Sequence, residues 1–248
     1  MSVSTRAWLF GAGFFLVVLL ISAPARLLGY FLPAETLSLQ GFEGSLWRGS
    51  AASGQVAAGP GKLQLGRVEW DVSVHSLLLL TPRIRFTSQW GGQSVRADVS
   101  VSPTGVLRLR DTRVVAPAAM IRHWLPVQLG GEVDLVLDDL RLAGATPREG
   151  AGFLTWKNAY WIGNNSSQLL GGYRLDFEID EQGMLQGVVK TLSGAVSAEG
   201  AVALNGRQYS VDLQLRARRG FGEEISNALQ LMAAPVDGGY HLKFSSEI

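Results

Sequence analysis

The residues best able to move a proton or hold a metal near neutral pH are the three histidines, His75, His123 and His241. They fall in separate segments with no i, i+4 pair, so no metal site is assigned to them. The chain has no cysteine, which excludes thiol catalysis, Cys-ligated zinc, iron–sulfur clusters and disulfides together. Serine is plentiful, yet none stands in a G-x-S-x-G elbow and no spacing singles out a triad. Gly59-Pro60-Gly61-Lys62 has the look of a phosphate loop. No glycine stands five places before Gly61, however, and Leu63 occupies the place of the Ser or Thr that would reach magnesium, so it reads as a turn.

Carboxylates come in blocks: Glu132, Asp134 and Asp138, then Asp176, Glu178 and Asp180. The second block is the sharper candidate for calcium, but residues two apart on a strand splay along one face without wrapping an ion. Arg83 and Arg85, with Arg108 and Arg110, supply the opposite sign, and the pattern reads as a solvated sheet face carrying cross-strand ion pairs. Asn164 to Ser167 holds overlapping glycosylation sequons and is read as a polar loop. No catalytic, cofactor-binding or metal-ligating residue is assigned, and no cofactor is expected. With 22 Lys and Arg against 21 Asp and Glu, the net charge of +1 leaves no field to hold nucleic acid.

The elements carrying these residues begin with an apolar segment. Charged residues make up 17% of the chain, below the roughly 25% of an ordinary soluble domain. Ala7 to Ala25 contains no charge; nineteen residues at about 1.5 Å each span roughly 28 Å, close to the hydrocarbon thickness of a bilayer. Residues 1–29 are read as a cytoplasmic tail and transmembrane signal anchor, with Arg26 and the apolar LLGYFLP collar beyond it at the interface, and 30–248 as an exported domain. The alternative is a cleaved signal peptide, since Ala23-Pro24-Ala25 has the small-x-small form that signal peptidase accepts.

Beyond Tyr30 the dominant hydrophobic period is two. Leu63 and Leu65, then Val68, Trp70 and Val72, alternate with polar residues, with a phase slip at Gly66-Arg67 that suggests a bulge. Similar runs recur up to Tyr240, Leu242 and Phe244, giving about eleven strands. Asn205-Gly206 and Asp237-Gly238-Gly239 are turn signals that imply antiparallel neighbours. Two short helices are expected, from Pro117 to Leu125 and from Glu223 to Met232. The fold class is mainly β: a single N-terminal transmembrane helix, then a curved, largely antiparallel sheet forming an open groove or partial barrel. Trp70, Trp90 and Trp156 are placed in its core, although an open apolar groove would use the same residues.

After the anchor, Gln40 to Gly49 reads QGFEGSLWRG, which resembles the G-T/S-L-W-x-G signature of the type II secretion system protein N family. Leu125 to Gly144, Phe153 to Ala159 and Gly238 to Leu242 resemble further segments of that family in order. The resemblance implies an AsmA-like periplasmic β-domain and a non-catalytic accessory component of the bacterial type II secretion apparatus. Its partners would be other inner-membrane components of that apparatus, with the bilayer engaged through the N-terminal helix. The alternative is a periplasmic groove protein that binds or shuttles lipid. Gly44, Ser45, Leu46, Trp47 and Gly49 form the signature. Its glycines let a short strand start and stop abruptly, while Trp47 anchors the first edge of the sheet near the membrane or docks a partner.

Overall fold

The computed structural model describes residues 8, 11, 14–15, 18–32, 35–58, 61–123, 128–144, 146–163, 167–218 and 220–247. Two compact units divide at Gly91 and Gly92.

The first unit holds four antiparallel strands in chain order: β1 (Leu37–Gly44), β2 (Arg48–Ala58), β3 (Gly61–Val72) and β4 (Arg83–Trp90). The slip anticipated at Gly66 is present. Gly54 pairs with Gly66 and Gln55 with Gln64, so Leu65 is the extra residue, and Gly66 has φ +66°. A Cβ on Gly66 would lie 2.3 Å from the Gln89 carbonyl oxygen, a close approach only glycine permits. The core is small: Ala25, Ala51, Val68 and Trp70 are buried, with Leu28, Leu39, Phe42 and Phe86 packed around them. Ala25 and Leu28 come from the turn and the short helix α1 (Leu28–Phe31) that follow the N-terminal segment, so that segment closes the core of this unit. A second short helix, α2 (Val74–Leu78), joins β3 to β4.

In the second unit the strands are β5 (Gln93–Val101), β6 (Val106–Pro117), β7 (Leu129–Ala143), β8 (Thr146–Ile162), β9 (Ser167–Ile179) and β10 (Leu185–Gly194). They continue as β11 (Val196–Asn205), β12 (Gln208–Ala217), β13 (Ala234–Val236) and β14 (Gly239–Glu247), with helix α3 (Glu223–Met232) before β13. The order follows the chain from β5 to β12 and then runs β14 and β13, antiparallel and unclosed. Both turn signals hold: Asn205 pairs with Gln208 across Gly206-Arg207, and Val236 with Gly239 across Asp237-Gly238.

The described strands number fourteen rather than about eleven. β2 is built mostly of Gly, Ala and Ser and β13 has three residues, so neither carries an alternating run of large apolar side chains. The helix expected from Pro117 is a 3-10 turn, Ala118–His123, and Pro117 itself ends β6; Trp124 and Leu125 lie outside the described residues. Trp90, assigned to the core, is 53% exposed. Of the expected span, residues 7, 9–10, 12–13 and 16–17 lie outside the described residues, while Trp8, Gly11, Phe14, Phe15 and Val18 to Ile21 are helical. No helix among the described residues is long and apolar enough to cross a membrane.

Candidate functional site

The signature residues form the β1–β2 turn, not a strand. Gly44 pairs with Gly49, and Ser45, Leu46 and Trp47 lie in the turn between the strands. Ser45 holds the turn closed, because its amide donates to the Arg48 carbonyl (2.9 Å) and its hydroxyl accepts from the Arg48 amide (3.1 Å). Gly44 has φ +82°. Gly49 is required by crowding, since a Cβ there would meet the Glu43 carbonyl oxygen and Trp70 Cζ2 at 2.7 Å each.

The turn faces the end of the N-terminal helix. Trp47 Nε1 donates to the Leu20 carbonyl (2.9 Å), the Leu46 amide donates to the Ala23 carbonyl (2.8 Å), and Pro24 bridges to Ser45. The Leu20 carbonyl, near the end of the helix, also accepts from the Ala23 amide (3.3 Å), and the indole adds a second donor to it from the β1–β2 turn. Trp70 Nε1 donates to the Leu46 carbonyl (3.1 Å) and the Val72 amide to the Trp47 carbonyl (2.6 Å), which tie the turn to β3. Sequence reasoning placed Trp47 at the first sheet edge. It missed the partners, which lie 27 residues before it at Leu20 and 25 after it at Val72.

The second unit separates its faces. Val114, Leu135, Leu154, Leu175 and Val189 stand in register across β6 to β10, and Phe177, Gly187, Val202, Val211 and Phe244 form a parallel row from β9 to β14. The large residues of both rows are half-buried. They shield one another sideways without being fully buried. Tyr173, on the same face, is buried at 8% exposure; its hydroxyl donates to the Val196 carbonyl (2.9 Å), and burial pushes its pKa up to about 12.

The opposite face carries the ion pairs the sequence implied. Asp134 is 4% exposed and accepts from Arg113 (2.6 Å) and Lys157 (2.9 Å). Arg113 chiefly, with Lys157, holds its pKa at about 2 against the desolvation that would raise it. Arg108 pairs with Asp139, whose carboxyl is likewise lowered. An open depression of about 680 Å³ on this face is lined by Phe153, Arg174, Asp176, Lys190 and Asp212 among others. Arg174 stacks 3.7 Å from the Phe153 ring centroid and bonds Asp176 (2.6 Å), while His241 Nε2 lies 2.8 Å from Asp212. Arg174, Asp176, Lys190 and Asp212 are each paired with an opposite charge.

Two of the three carboxylates Asp176, Glu178 and Asp180 are engaged elsewhere. Asp176 is taken by Arg174 and Lys190, and Asp180 accepts the Gln182 and Met184 amides to form its own turn. No group of three metal-capable side chains occurs among the described residues. His75 lies in α2, His123 in the 3-10 turn and His241 on β14.

A protein named "Type II secretion system protein N" from Vibrio cholerae serotype O1 (strain ATCC 39315 / El Tor Inaba N16961) is 28% identical over 225 residues, covering 86% of this chain and 85% of that one. No solved structure matches, so the AsmA-like likeness stays with the resemblance that suggested it. Residues 35–243 match the family described as type II secretion system (T2SS), protein N. Since that match runs from just before β1 into β14, the chain belongs to the type II secretion system protein N family.

Proposed function

We propose that this type II secretion component works in the periplasm by binding other inner-membrane members of the apparatus, without catalysis, and that residues 1–29 anchor the domain 30–248 in the inner membrane. The observation that carries this reading is the family match over 35–243. Two features support it. Trp8, Phe14 and Phe15 are exposed on the N-terminal helix, at 80%, 72% and 67%, as suits a lipid environment. Arg174, Asp176, Lys190 and Asp212 in the open depression are each paired with an opposite charge, which suits a scaffold better than an active site. Co-purification of the tagged full-length protein from membranes should recover other inner-membrane components of the apparatus. A deletion strain with a normal secretion profile, and no component captured, would reject the reading.

A second reading, a groove that binds lipid, is favoured by one observation: the half-buried apolar rows of the second unit. A photoactivatable phospholipid should then attach to peptides carrying Leu154 and Leu175. Attachment confined to peptides before Arg26 would leave the rows with a purely structural role.

A further inference from the structure

The β3–β4 connection, Ser73 to Pro82, exposes Val74 at 51%, Leu79 at 73% and Leu80 at 70%. Single exposed leucines are ordinary, but this pair sits on a built support. Ser76 is 5% exposed; its hydroxyl donates to the Ser73 carbonyl (2.5 Å) and accepts from the Arg83 amide (2.8 Å), while its carbonyl accepts from the Thr81 amide (3.0 Å). Leu80 is held at φ +54°, a left-handed conformation that costs a leucine energy and is rarely kept without a reason. The loop therefore presents two adjacent apolar side chains from a closed, strained frame.

Its position supplies the occupant. The loop leaves β3 directly after Val72, whose amide bonds the Trp47 carbonyl, and the Trp47 indole bonds the Leu20 carbonyl at the end of the N-terminal helix. On that helix Val18, Leu19, Leu20 and Ile21 are each 45% exposed or more. Arg26 and Arg83 are exposed in the segments around this junction, the sign that anionic headgroups attract. Resting on the membrane-anchor reading, we infer that the Ser73–Pro82 loop is a second membrane contact, seating Leu79 and Leu80 in the same bilayer surface from which the N-terminal helix emerges. Two attachments would fix the tilt of the first unit on the membrane, where a single helix leaves it free to swing.

Because the chain has no cysteine, single substitutions can carry an environment-sensitive fluorophore on the full-length protein. Leu19→Cys, Leu79→Cys and Leu80→Cys are labelled separately and reconstituted in vesicles of phosphatidylethanolamine and phosphatidylglycerol. The expected result is a blue-shifted emission for all three, quenched by spin-labelled lipid and shielded from an aqueous quencher, with the loop probes shallower than Leu19. A Leu19 probe in lipid with both loop probes in water overturns the second contact and leaves the anchor standing. All three in water overturns both readings. A loop probe that turns apolar in detergent as protein concentration rises assigns the patch to a second copy and rejects the membrane as its occupant.

Discussion

Replacing Asp134 by Asn tests whether the ion cluster across β6, β7 and β8 stabilises the second unit through charge. The carboxyl is depressed from 3.8 to about 2, with Arg113 the largest cause, and at about 1.36 kcal/mol per unit this corresponds to roughly 2 kcal/mol. The Arg113 and Lys157 side chains are 58% and 45% exposed, so solvent screening reduces the figure to roughly 1–1.5 kcal/mol. A folded-state pKa below the unfolded one stabilises fully above about pH 5 and is lost as pH falls through 3.8 toward 2. Thermal unfolding followed by circular dichroism should therefore place Asp134→Asn about 2–6 °C below the parent at pH 7. At pH 2 the deficit should shrink to a few tenths of a kcal/mol. Asp139, Asp176 and Asp212 are also depressed; they shape the acid limb of both proteins and cancel in the comparison. Equal melting at pH 7, or the same deficit at both pH values, would refute the electrostatic argument and leave only side-chain packing.

Gly49→Ala should destabilise the first unit by about 1–3 kcal/mol, because the added methyl meets two backbone carbonyls and Trp70 below 3 Å; an unchanged urea midpoint would show that the turn yields. Trp47→Phe keeps the ring and removes the donor to Leu20, at about 0.5–1.5 kcal/mol. Trypsin should then cut faster after Arg26 while strand content by circular dichroism is preserved, and an unaltered cutting rate would argue against a role for that bond. Leu80→Asn places a residue tolerant of left-handed backbone at φ +54° and should raise stability by up to about 1 kcal/mol. A lower melting temperature would contradict the strain assigned to Leu80.

What could be read from the chain alone was whatever its own local stereochemistry determines. Alternation along β3 and β12 places side chains on one face or the other because successive residues point opposite ways, and Gly206 and Gly238 take positive φ where turns require it. The signature could be recognised as family pattern, and Gly49 marked within it, but not the reason for Gly49, since the Trp70 ring it must accommodate is contributed by another strand. β2 was illegible for a related cause: its small residues are there because larger neighbours fold over them, as Val68 and Leu39 do over Gly54. Trp90 shows the limit of periodicity, which assigns a face and says nothing of what lies across it. The Arg113–Asp134–Lys157 cluster and the bond from Trp47 to Leu20 depend on register and chain return over more than twenty residues. No local pattern encodes such pairings; strand order and register decided them, because only the folded sheet brings those donors within reach of their acceptors.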